Sequence, residues 1–228
     1  MAIFYGVGVG SGDPELLTLK AVRIIRECEV IAVATKQVQN SVAYQIVEQV
    51  VPEISNKELL GISMPMTKQE EELKEAHKKG ADLIAAKLAE GKNIAFLTLG
   101  DPTIFSTYTY LQEIVKKQGL ETRIVNGIAS FLSAASLLNT KLIEREEMFH
   151  IIPSTYGFSE AIHLKGTKVF MKAGGVLEEL KKELEESGQK VFFIENCGME
   201  RERVLEGVYN IPDEAGYYSM VVAFEKEF

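Results

Sequence analysis

No apolar run in the chain approaches the roughly 20 residues that a helix needs to cross a bilayer. The opening Met1-Ala2-Ile3-Phe4 lacks the basic region of a secretory leader. Cysteine is scarce: Cys28 and Cys197 stand alone, with neither the paired spacing of a zinc site nor a disulfide framework. The expectation is a reduced, cytoplasmic protein that binds no metal. Positive charge is short as well, with 25 Lys plus Arg against 33 Asp plus Glu and a formal net charge of −8. Nucleic-acid binding needs clustered cations to neutralise phosphates, so no nucleic-acid partner and no membrane partner is expected. A Walker A loop is missing too, because no Gly-Lys pair is followed by Ser or Thr. There is no internal repeat and no low-complexity tract.

What the chain does have is apolar runs that stop at glycine. The run 94–99 reads as a buried strand, ends at Gly100-Asp101-Pro102, and gives way to a helical pattern from about Phe105. Such a strand–turn–helix places backbone N–H groups and one carboxylate at the carboxyl end of a sheet, where α/β proteins bind ligands. A second turn of this kind follows strand 3–9, at Gly10-Ser11-Gly12-Asp13-Pro14, and a third is expected at Asn126-Gly127-Ile128. Between them lie a helix over 15–28, a strand at 30–34 and a helix over 41–50. A further helix runs to about Glu90, opened by a Thr67/Glu70 capping box. His77 falls on the apolar stripe of that helix and reads as a packing residue.

Strands alternating with helices up to Gln118-Gly119 imply a mainly parallel sheet, with a domain boundary there: 1–118 and 119–228. The second half reads as mixed α/β. Strands are expected at 122–125, 149–152, 168–171 and 191–194, helices at 129–138 and 176–187, and 203–209 with 217–225 as hairpin partners.

Gly6-Val7-Gly8-Val9-Gly10 fails the dinucleotide register, since the third glycine of G-x-G-x-x-G falls on Ser11 or on Asp13. Joined to Asp13-Pro14-Glu15-Leu16-Leu17-Thr18-Leu19-Lys20, and followed by Leu99-Gly100-Asp101-Pro102 and Gly127-Ile128-Ala129-Ser130, it resembles the tetrapyrrole (corrin/porphyrin) methylase family. Thr98 to Tyr108 and Glu195-Asn196-Cys197-Gly198-Met199 most resemble the branch that methylates C20 of precorrin-2 or cobalt-factor II in cobalamin biosynthesis.

That resemblance implies two α/β domains with an interdomain cleft, a homodimer, a tetrapyrrole substrate and S-adenosyl-L-methionine as methyl donor. It implies cofactor contacts at Ser11, Leu99, Gly100, Asp101, Ile104, Ala129, Ser130, Met171 and Cys197. Asp101 would face the amino group or ribose, and Cys197 would act by backbone position. Ser11 and Asn126 stand where the family usually has proline, and Ala129 where it usually has Thr or Ser. The implied chemistry is in-line attack of C20 on the sulfonium methyl with loss of the C20 proton, so alignment matters more than a strong base. Tyr108 is the candidate polar group near the reacting carbon, with a packed core tyrosine as the competing reading. Lys36, after the second strand, is the candidate for a substrate carboxylate, against a solvated loop lysine. Alternatives are a sister methylase acting at another ring position, or a diphthine-synthase-like enzyme acting on a protein.

Overall fold

The structure is a computed structural model and describes residues 1–65, 67, 69–154 and 157–225. The chain forms two compact units, Met1–Ala129 and Ser130–Phe228.

The first unit carries β1 (Ile3–Gly8), α1 (Leu19–Glu27), β2 (Val30–Val33), α2 (Val42–Val50) and β3 (Glu58–Gly61). It continues with α3 (Glu70–Ala89), β4 (Ile94–Thr98), α4 (Thr107–Lys117) and β5 (Glu121–Val125). Its sheet has the order β3-β2-β4-β1-β5, and every pairing is parallel. Parallel strands are buried on both faces, which is why Val30-Ile31-Ala32-Val33 is apolar without alternation. Successive residues still point to opposite sides. Ile31 and Val33 pack with Ile24 and Ile25 of α1 and Ile46 and Val47 of α2. Val30 and Ala32 pack with Ala81 and Ile84 of α3 and Leu111 and Val115 of α4.

The helices thus sort by the direction in which they carry the chain. β1 connects to β2 across one face, and β4 connects to β5 across the other. β1 and β4 are neighbours whose connections leave in opposite directions, the switch point at which open parallel sheets form a crevice at their carboxyl edge.

The second unit carries α5 (Ser130–Leu137), β6 (Phe149–Pro153), α6 (Ser159–Ile162) and β7 (Thr167–Met171). It continues with α7 (Leu177–Ser187), β8 (Lys190–Glu195), β9 (Arg203–Glu206) and β10 (Ser219–Phe224). The strand order is β6-β7-β10-β8-β9, with β6 and β7 parallel and the other pairings antiparallel. Leu177, Leu180 and Leu184 of α7 and Ile162 of α6 cover Phe170, Phe193 and Val221 on one face of this sheet. Among the described residues no helix is long and apolar enough to cross a membrane.

The structure departs from the sequence expectations at five places. The units divide after Ala129, not at 118, because β5 pairs with β1 along its whole length and so belongs to the first sheet. The helix expected over 15–28 is two pieces: a short 3-10 turn at Pro14–Leu16, then α1, which Thr18 opens by accepting the Ala21 N–H on its Oγ1 at 3.1 Å. β3 gave no signal, being four residues long and only partly buried. The Thr67/Glu70 capping box does not form; the N-cap is Gln69, and Thr67 Oγ1 accepts the Gln69 N–H instead. β9 and β10 are not hairpin partners, because β8 lies between them.

The Thr18 cap fixes where α1 starts, and with it the exit of the chain from the first glycine turn. Thr18→Ala is expected to cost about 1 kcal/mol, read as a lower urea midpoint at unchanged slope.

Candidate active site

Three turns meet at the carboxyl edge of the first sheet. After β1, the Gly10 carbonyl accepts the Gly100 N–H at 2.7 Å, an isolated antiparallel bridge that joins the first turn to the second. The second and third turns are joined by one side chain. Asp101 is 8% exposed. Its Oδ1 accepts the Thr103 N–H at 2.8 Å and the Thr103 hydroxyl at 2.5 Å. Its Oδ2 accepts the Asn126 side-chain amide at 3.0 Å and the Gly127 N–H at 3.1 Å. Thr18 Oγ1 adds a longer contact of 3.5 Å to the Asn126 carbonyl.

Four donors occupy a carboxylate that has about four lone-pair sites. Burial alone would raise the Asp101 pKa, but the hydrogen bonds from Thr103, Asn126 and Gly127 outweigh it and hold the carboxyl below its ordinary value. Both oxygens thus accept from the protein's own turns.

Glycine here lets the turns touch each other. A Cβ on Gly8 would lie 2.5 Å from the Gly127 N and 2.6 Å from the Gly100 carbonyl oxygen, and one on Gly127 would collide with that same oxygen. Gly100 also takes a positive φ of 67°, which turns the chain out of β4. α4 then opens at Ser106, whose Oγ accepts the Tyr108 N–H at 3.2 Å and lies 3.1 Å from Thr98 Oγ1.

Ser11, Leu99, Gly100, Asp101, Ile104 and Ala129 thus fall on one ridge of main chain. Ser11 and Ala129 are buried, Leu99 and Ile104 half-buried, and the Ile104 N–H is held by the Asp101 carbonyl at 3.1 Å. No Lys or Arg occurs at 8–13, 98–106 or 126–129. A main-chain ridge free of cations, with one ionised carboxylate behind it, suits a ligand that is itself positively charged. Lys36 follows β2 on the same sheet and is exposed.

In the second unit Ser130 begins α5, Met171 ends β7, and Cys197 follows β8. β7 and β8 both run antiparallel to β10, so Met171 and Cys197 share an edge of that sheet. Burial, with a smaller contribution from Glu202, pushes the Cys197 thiol up to about 11, so it is protonated at neutral pH and is no nucleophile. Among the described residues no group of three or more His, Cys, Asp or Glu is placed to hold a metal ion.

Tyr108 is not at this edge. Its side chain is wholly buried among Phe4 and Phe96, its ring lies against Gly6, and its hydroxyl donates to the carbonyls of Arg123 at 2.9 Å and Phe4 at 3.3 Å. Burial raises its pKa. The catalytic reading of Tyr108 gives way to the core reading. His77 likewise packs, stacked on Tyr110 at 4.8 Å. Sequence reasoning gave Thr103 no role and read Asn126 as a turn residue and a departure from the family, without its hydrogen bond to Asp101. The signal for Thr103 was present, because Asp-Pro-Thr is the composition of an Asx turn.

The family model for tetrapyrrole (corrin/porphyrin) methylases matches residues 4–210. The chain belongs to the tetrapyrrole methylase family. A Methanocaldococcus jannaschii protein named as a probable cobalt-precorrin-2 C(20)-methyltransferase is 34% identical over 204 residues, 89% of this chain and 86% of that protein. A precorrin-2 C(20)-methyltransferase of Sinorhizobium sp is 27% identical, covering 95% of this chain and 93% of that one. The structure of a uroporphyrin-III C-methyl transferase from Thermus thermophilus, complexed with S-adenyl homocysteine, matches with a TM-score of 0.71 at 22% identity, covering 98% of each chain. This last likeness is one of fold.

Asp101→Asn keeps the shape but sets an amide N–H₂ against N–H and O–H donors, and is expected to cost about 2 kcal/mol. The sign of the pH effect follows from the depressed pKa. Stabilisation by the Asp101 carboxylate is in force above the ordinary carboxylate range and is lost as pH falls through its folded value, so Asp101→Asn flattens the acid limb of stability measured by urea unfolding between about pH 3 and pH 7. Tyr108→Phe is expected to lower stability by about 1 kcal/mol, read as a lower urea midpoint at unchanged slope.

Proposed function

We propose that this protein transfers a methyl group from S-adenosyl-L-methionine to C20 of precorrin-2 or its cobalt-containing counterpart, in cobalamin biosynthesis. The observation that carries this reading is similarity over nearly the whole chain to proteins named for that reaction, 34% identical to one and 27% identical to another. The main-chain ridge formed by the three turns supports it.

The donor, when bound, supplies an electrophilic methyl group on a sulfonium, already activated for displacement. What the protein adds is position. Ser11, Leu99, Gly100, Ile104 and Ala129, in or beside the three turns of the first unit, are the proposed donor contacts there. Most act through backbone N–H and C=O groups; Asp101 acts by holding two turns in register. A cation-free ridge favours a sulfonium over a dinucleotide phosphate, in keeping with the broken glycine register. Lys36, exposed at the carboxyl end of β2, is the proposed partner of a substrate carboxylate on this face.

Calorimetry with S-adenosylhomocysteine is expected to show binding, and mass spectrometry after incubation with precorrin-2 or cobalt-factor II a product heavier by one CH2, the methyl gained less the proton lost, assigned to C20 by NMR. Absence of S-adenosylhomocysteine binding by folded protein overturns the methylase reading, and methylation at another carbon overturns the choice of C20. Lys36→Ala is expected to weaken acceptor binding about threefold with donor affinity unchanged. Unaltered acceptor binding removes that residue from the site.

A further inference from the structure

Two hydroxyls close the second turn at its mouth. Thr98 is the last residue of β4 and Ser106 the residue before α4. Their Oγ atoms share a hydrogen bond at 3.1 Å across the stretch 99–105. Thr98 is half-buried and Ser106 buried, so water competes weakly for that bond.

Both ends are fixed by other contacts. Thr98 lies in register with Gly8 of β1, and its carbonyl accepts the Val9 N–H at 3.0 Å. Ser106 belongs to the start of α4: its Oγ accepts the Tyr108 N–H, and its carbonyl accepts the Thr109 hydroxyl at 2.9 Å. A hydroxyl has one proton and two lone pairs, so Ser106 can cap the helix and pair with Thr98 at once. Strand and helix have their own hydrogen bonds without the Thr98–Ser106 pair. What the pair adds is closure of the turn between them.

The closed turn is under strain. Phe105, next to Ser106, takes a φ of 46°. That left-handed region is disfavoured for a residue with a Cβ, most of all a bulky one, so the surroundings impose it. A turn serving stability alone would carry glycine there, as this one does at Gly100. Strained backbone that persists points to a shape that is needed. The first part of the turn is tied to its neighbours through Gly100 and Asp101. The later part hangs from Asp101 through Thr103 and the Ile104 N–H, and from Ser106 at its far end.

We propose that Thr98 and Ser106 are positioning residues for the methyl donor: by closing the turn they hold Leu99 and Ile104 in the arrangement that the donor meets. This rests on the methylase reading above and adds to it two side chains that act through the turn.

Thr98→Val deletes one hydroxyl at nearly constant volume and leaves the Ser106 cap in place. Calorimetry on the full chain is expected to show S-adenosylhomocysteine binding weakened about fivefold, at the stoichiometry of the wild type. Hydrogen exchange is expected to quicken about fivefold at the Thr103 and Ile104 amides, with β4 and α4 unchanged. Thr98→Ala is expected to match Thr98→Val, and Thr98→Ser, which keeps the hydroxyl, to retain wild-type affinity and exchange. Wild-type affinity in Thr98→Val and Thr98→Ala overturns the proposal, and so does an equal loss of affinity in Thr98→Ser. Failure of the folded wild type to bind S-adenosylhomocysteine overturns the methylase reading and the proposal with it, so the two failures are told apart by whether the wild type binds.

Discussion

A single carboxylate holds the carboxyl edge of the first unit together. Asp101 is buried, and an ion in that position is costly unless its lone pairs are satisfied. Thr103 satisfies one oxygen from within the same turn, while Asn126 and Gly127 satisfy the other from the turn after β5. The Gly10–Gly100 hydrogen bond adds the turn after β1. Two attachments and two missing side chains, at Gly8 and Gly127, bring three stretches of backbone into direct contact at the point where the crossovers diverge.

An edge built of main chain binds by where its amides and carbonyls stand. The Asn126 amide is one of the four donors on Asp101, so that side chain helps hold the turns together. The same logic fits methyl transfer from a sulfonium, which asks for alignment and dryness more than for a group of shifted pKa. The two side chains with a claim to reactivity do not contribute one: burial holds the Cys197 thiol protonated, and the Tyr108 hydroxyl is taken by strand carbonyls.

Much of this architecture was legible in the residues. Unbroken apolar runs such as 30–33 and 94–97 announce a parallel sheet, because strands covered on both faces need no polar alternation. The three turns were readable because glycine beside Asp, Pro or Asn has few other uses at the end of a strand. Features that depend on distant partners were not legible. β3 is short and half-buried and exists because β2 offers it an edge. The boundary expected at Gly119 moved to Ala129 because a strand declares its sheet only through pairing, and β5 pairs with β1. β10 is buried along its whole length, as a central strand is, and nothing local reveals that β8 sits between it and β9. The role of Tyr108 was misread for a related reason. A polar residue shortly after a glycine turn suggests a ligand, whereas the acceptors of its hydroxyl are supplied by the protein itself.

The place of β10 has a bearing on biogenesis. It is the final strand in chain order, yet it lies in the middle of its sheet, hydrogen-bonded to β7 on one side and β8 on the other. The five strands of the first sheet have all been translated by residue 125, so that half is able to close while the ribosome is still at work. The other half waits with β7 and β8 unjoined until the β10 segment has left the exit tunnel. Synthesis therefore passes through an interval in which one domain is complete and the other exposes two unsatisfied strand edges, the kind of nascent species that chaperones shield.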